Sequence, residues 1–137
     1  MDFHRIKLFF IFQGPALLYA IVIFSLSSFP GYKLPSLPFD YGDKLVHFLE
    51  FGLFGIFLYR AFRFPQPSFQ PLRLTIAFGL LYAASDEIHQ LFVQGRFCDF
   101  FDFATDSVGL IVFAFISSRL NPAPPDDSEI FILNRDR

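Results

Sequence analysis

Tryptophan is absent from this chain of 137 residues, and cysteine and methionine occur once each. The lone Cys98 excludes an internal disulfide and a cysteine-cluster metal centre, and it leaves the redox compartment open. Charge is scarce: Asp, Glu, Lys and Arg make up 18% of residues, and the net charge is −2. Without a basic run, a nucleic-acid partner is not expected. No H-E-x-x-H pair and no Ser-His-acid spacing occurs, so neither of those catalytic signatures is available. What fills the chain instead is apolar. Hydrophobic residues reach 53%, mean hydropathy is +0.45, and phenylalanine alone contributes 23 residues. This length allows one domain, and the composition is too oily for a typical soluble one.

Four long apolar stretches predict an all-α polytopic membrane protein, a bundle of four transmembrane helices. About 20 apolar residues span a bilayer core. The expected helices run over about 8–29, 43–62, 73–93 and 100–119, within a domain covering 1–120. Arg5 and Lys7 precede the first stretch as in a signal peptide. No clear small-residue cleavage site follows, so a retained first helix is expected. Gly14-Pro15 is a candidate kink within it. Pro30, Gly31, Pro35, Pro38 and Gly42 mark one connection, and Pro65, Pro67 and Pro71 mark the next. Lys33 and Asp40 read as solvated loop residues, and His4 as a flanking residue. The proline-rich acidic tail, 121–137, is expected to be disordered and cytoplasmic.

Positive charge orients the bundle. Arg5, Lys7, Arg60, Arg63, Arg73 and Arg119 fall on one side, and only Lys33, Lys44 and Arg96 on the other. The expectation is a multi-pass protein of the bacterial inner membrane with both termini cytoplasmic. The polar ends of the last three helices then meet at the extracytoplasmic face.

The ionisable residues inside these helices are the candidate site. Each costs about 2.5–3.5 kcal/mol at a bilayer centre on the translocon scale, so by default they mark function. Asp43, His47 and Glu50 lie at i, i+4 and i+7, one stripe of the second helix. Asp86, His89 and Gln90 share a stripe of the third, with Tyr82 and Gly79 below them, and Glu87 is offset by about 100°. Asp102, Asp106 and Gly109 form a stripe of the fourth. Gly79 and Gly109 allow close helix packing. Arg96, in the outer turn, is the expected counter-ion. Phe48, Phe51, Phe54 and Phe57 read as core and lipid-facing residues.

The segments DKLVHFLEFGLFG (Asp43–Gly55), SDEIHQLFVQGR (Ser85–Arg96) and DFFDFATDSVG (Asp99–Gly109) together resemble the VanZ-like family of small bacterial membrane proteins. The match covers about half the chain in the right order and spacing, and SLSSFP (Ser25–Pro30) is also similar. Gln94 stands where the family usually has proline. Asp106 stands where asparagine is usual, which adds an acid facing the site. The resemblance implies a four-helix integral membrane protein of the cell envelope. The family's named member is linked to resistance to the glycopeptide teicoplanin.

Several readings of the cluster stay open. In an enzyme, His47 and His89 could act as general base or acid, oriented by Glu50 or Asp86, with Glu87 a further catalytic candidate. In a binding site, Asp43, Lys44, Gln90, Arg96, Asp102 and Asp106 could hold a lipid headgroup or lipid-linked envelope precursor, with Arg96 taking phosphate or carboxylate bidentately. In a structural or scaffolding protein, the same groups would link the helices, and Asp99 or Asp102 would cap the fourth. No cofactor is expected. A metal is the weaker alternative, with His47, Glu50, Asp86 and His89 as its N/O set. Cys98 beside Arg96 reads as an inert thiol. Oligomeric state is not legible.

Overall fold

A computed structural model describes residues 3–31, 42–64 and 70–122, and every element among them is helical. The order is α1 (Phe3–Phe12), α2 (Gly14–Ser27), α3 (Gly42–Arg63), α4 (Pro71–Gln90) and α5 (Phe100–Leu120). The connection bearing Lys33 and Asp40, the residues Pro65 and Pro67, and the acidic tail beyond Pro122 lie outside the described residues.

The first apolar stretch is two helices. Pro15 has no N–H to offer the carbonyl of Ile11, so the ladder fails there. α1 and α2 meet at Gln13 with a bend of 46°. The helix also starts earlier than expected, at Phe3, because nothing between Phe3 and Gln13 breaks it. The break is clasped from outside. Gln13 Nε2 donates to the Ala61 carbonyl at 3.0 Å and the Phe64 carbonyl at 2.8 Å. These are the otherwise orphaned acceptors at and beyond the end of α3.

α3 and α5 make the closest pair. A Cβ on Gly55 would stand 2.7 Å from the Leu110 carbonyl oxygen, and one on Gly109 would overlap the Phe48 carbonyl. Backbone therefore lies on backbone, which is how membrane helices gain contact without a hydrophobic drive. α4 packs on both through Thr75, Gly79, Ala83, Asp86, Glu87 and Gln90, all buried. The Tyr82 hydroxyl ties α4 to α2 by donating to the Ala20 carbonyl at 2.6 Å. The core between these helices is Ile23, Phe51, Phe54, Ala83 and Leu110.

Outside that core the surface is apolar. Leu18 and Ile21 on α2, Phe78 and Leu81 on α4, and Val108 and Ile116 on α5 are exposed. In water such a surface would be an aggregation liability, whereas lipid tails accept it. α3 and α5 are each long and apolar enough to cross a membrane, and the bent α1–α2 pair qualifies as one broken span. At 22 residues α3 is about 33 Å long, enough for a hydrocarbon core. α4 is less apolar, because Arg73, Asp86 and Glu87 interrupt it. It ends at Gln90 rather than near 93, and 91–95 turn back through Gly95 at φ 74°. The result is an all-α bundle of four rods, the first of them bent.

The arginines gather at one end of this bundle. Arg60 and Arg63 close α3, Arg73 opens α4 and Arg119 closes α5. The ends of α2 and α4 and the starts of α3 and α5 form the opposite, polar end. There the Gly31 N–H donates to the Gln94 carbonyl at 3.1 Å.

Candidate functional site

The helix starts dictate the first layer of the polar end. Asp99 caps α5, its side chain accepting from the Phe101 N–H at 2.8 Å. Lys44, in the first turn of α3, reaches across to α5. Its ammonium bonds Asp102 at 2.5 Å and Asp99 at 3.2 Å, and lies 3.2 Å from Asp43. The Phe101 N–H first, and then Lys44, hold the Asp99 carboxyl below the ordinary aspartate range. Asp43 is largely exposed and stands at the rim.

One turn deeper, His47 bridges α3 and α5. Its Nδ1 is 2.9 Å from Asp106 Oδ1, and its Nε2 is 3.7 Å from Asp102 Oδ1. Asp106 fixes the ring's orientation, as a carboxylate beside an imidazole does in catalytic and metal sites. From α4, Glu87 accepts the Asp99 N–H at 2.9 Å, and Asp86 accepts from Gln90 at 3.1 Å. Glu50 lies within electrostatic reach of His47, Asp106, Asp86 and Arg96.

This cluster is buried and incompletely paired within the protein. Asp106, Glu87 and Asp86 are 0%, 2% and 4% exposed. Glu50 Oε1, Asp86 Oδ1, Glu87 Oε1, Asp106 Oδ2 and Arg96 Nε are buried without a hydrogen-bond partner. Such orphans are rare in native structures, and here five share one end of the molecule. Charge is also unbalanced among the described residues. The carboxylates of Asp43, Glu50, Asp86, Glu87, Asp99, Asp102 and Asp106 face only Lys44 and Arg96 as permanent cations.

The structure thus brings together His47, Glu50, Asp86, Glu87, Gln90, Asp102 and Asp106, with Lys44 and Asp43 at the rim. It does not bring in His89. That ring stacks on Phe24 with centroids 4.3 Å apart, and its Nε2 is 3.0 Å from the Ser28 hydroxyl. The metal set expected to include His89 therefore does not converge. The ligand atoms that do converge belong to His47, Glu87 and Asp106, all within 4.8 Å of one another. Arg96 is not the partner of Asp102; Lys44 is, because it starts the helix packed directly against α5. Arg96 makes no ion pair among the described residues. Glu87, offset from the Asp86 stripe by sequence spacing, is central. Asp99 serves both as cap and as backbone donor to Glu87. The signal that places Glu87 is the run of small residues Thr75, Gly79 and Ala83, whose next steps are Asp86, Glu87 and Gln90. His89 lies off that line.

Fold and site together define a small helical membrane bundle with a buried carboxylate–histidine cluster at one end. The VanZ/LLP1 family model matches residues 7–121, and the chain belongs to that family. No curated protein and no solved structure matches it.

Proposed function

We propose that the polar end is a headgroup site for a lipid or lipid-linked cell-wall precursor of the bacterial envelope. The observation that carries this reading is the set of five buried, partnerless polar atoms inside an otherwise lipid-facing bundle. Buried polar atoms in a bilayer protein are expensive, and a bound group that satisfies them repays the expense. The apolar Phe92, Phe97, Phe100 and Phe101 are exposed beside the cluster, where acyl chains would lie. The arginine-rich end opposite supports an extracytoplasmic placement of the site. An effect on teicoplanin susceptibility is part of this reading by analogy with the named member of the family the sequence resembles.

Native mass spectrometry of the detergent-extracted protein tests this reading. A defined lipid adduct should accompany the wild type and be lost in Asp86→Asn at unchanged thermal stability. Wild-type protein that never retains lipid would sink the headgroup reading. A second reading is structural, favoured by the bonds that already cross between helices: Lys44 to Asp102, His47 to Asp106, and the Asp99 N–H to Glu87. On that reading Asp86→Asn lowers stability, no adduct is seen, and teicoplanin susceptibility of a host expressing the protein does not change.

A further inference from the structure

The headgroup reading leaves one physical problem. A phosphate entering the cluster would meet an excess of carboxylates in a medium that screens them poorly. The missing element is a cation, and the geometry specifies where it would sit. We propose that His47, Glu87 and Asp106 form a divalent-cation site of the Zn²⁺ or Mn²⁺ type. The proposal rests on the headgroup reading for its purpose and on the following geometry for its existence.

Each of three helices supplies one ligand, α3 through His47, α4 through Glu87 and α5 through Asp106. Their ligand atoms lie within 4.8 Å of one another. Ligands held at about 2.0–2.2 Å from an ion stand roughly 3–3.5 Å apart, so closure needs side-chain movements of about an ångström. Glu87 is anchored by one oxygen, Oε2 accepting the Asp99 N–H, and is free at the other. His47 Nδ1 and Asp106 Oδ1 already meet at 2.9 Å, and an ion bound between them would replace that hydrogen bond. Glu87 Oε1 and Asp106 Oδ2 have no partner, although the two residues are 2% and 0% exposed. A hydrogen bond on the distal atom of a ligand is how proteins orient a metal's first ring of contacts. One imidazole nitrogen with two carboxylates suits Zn²⁺ and Mn²⁺ better than the all-oxygen cages of Ca²⁺. A divalent charge there offsets part of the carboxylate excess, and an open coordination position on the ion could take a phosphate oxygen directly.

The test uses the full chain, purified in detergent, stripped with a chelator and titrated with Zn²⁺ or Mn²⁺ alone. One ion per chain should be retained after desalting. Asp106→Asn and Glu87→Gln should each weaken it at least about tenfold. His89→Ala, which lies outside the cluster, should bind as the wild type does. Bound Mn²⁺ in the wild type should also show spin-echo modulation from a histidine nitrogen, a readout that needs no variant to fold. The proposal is overturned if the wild type retains neither ion, if that nitrogen signal is missing, or if both carboxamide variants bind unchanged. Lipid retention, read separately on the ion-loaded wild type, decides the headgroup reading. Ion binding without lipid leaves the metal site standing and removes that reading alone.

Discussion

Lys44 holds carboxylates from two elements, so its removal reaches beyond one pair. Lys44→Met would leave Asp99 and Asp102 facing each other without their shared cation. The Lys44–Asp102 bridge is partly buried, between an exposed bridge worth under about 1 kcal/mol and a buried one whose breakage costs about 3–5 kcal/mol. A loss of about 1–3 kcal/mol is expected, measured by thermal unfolding in detergent. Asp99 adds a pH signature. Its carboxyl is held below its ordinary value, so its contribution is complete above the unfolded value of about 3.9 and fades as pH falls through the lower folded value. Asp99→Asn should keep the cap and lose this acid dependence, whereas Asp99→Ala should lose both. An unchanged acid-unfolding curve in Asp99→Asn would discount the Lys44 contact. At this scale sequence spacing located the polar stripes but not their absolute rotation. Asp86 and His89 are near neighbours in angle, yet α4 is wedged between α2 and the α3–α5 pair. Its inward line is set by Thr75, Gly79 and Ala83, and that line takes Glu87 in and leaves His89 against Phe24.

The α3–α5 seam depends on the absence of side chains where the two backbones touch. Gly109→Ala would drive a methyl into the Phe48 carbonyl, and Gly55→Ala would do the same at Leu110. Backbone cannot yield as a flexible side chain can, so each substitution should cost about 1–3 kcal/mol. Because His47 and Asp106 sit on opposite sides of this seam, Gly109→Ala should also lower ligand or ion retention. Unaltered melting in both variants would contradict the close packing. The existence of the helices was legible from their apolar runs, since no other element hides a lipid-exposed backbone so simply. Their ends were less so. The end of α4 is set by a turn through Gly95, and the start of α1 by the lack of any breaker before Gly14-Pro15. Neither changes the hydrophobic pattern.

The whole bundle separates its charges by end, arginines at one and acids with His47 at the other, and that polarity makes orientation testable. Alkaline phosphatase fused after Lys33 should be active in a Gram-negative host, and a fusion after Pro67 should be inactive. The reverse pattern would move the polar end to the cytoplasm. A further whole-molecule test concerns Gln13. Gln13→Leu removes two bonds to the end of α3 and should cost about 1–2 kcal/mol of thermal stability, while Pro15 still breaks the first rod. The partners of Gln13 lie 48 and 51 residues further along the chain. While the first span is being made, those carbonyls do not yet exist. The Gln13 amide must therefore wait, held by water or lipid headgroups, until the last turn of α3 leaves the ribosome. The bend in the first rod is finished late, and the order of synthesis makes Gln13 a latch that closes only once the first helical hairpin is complete.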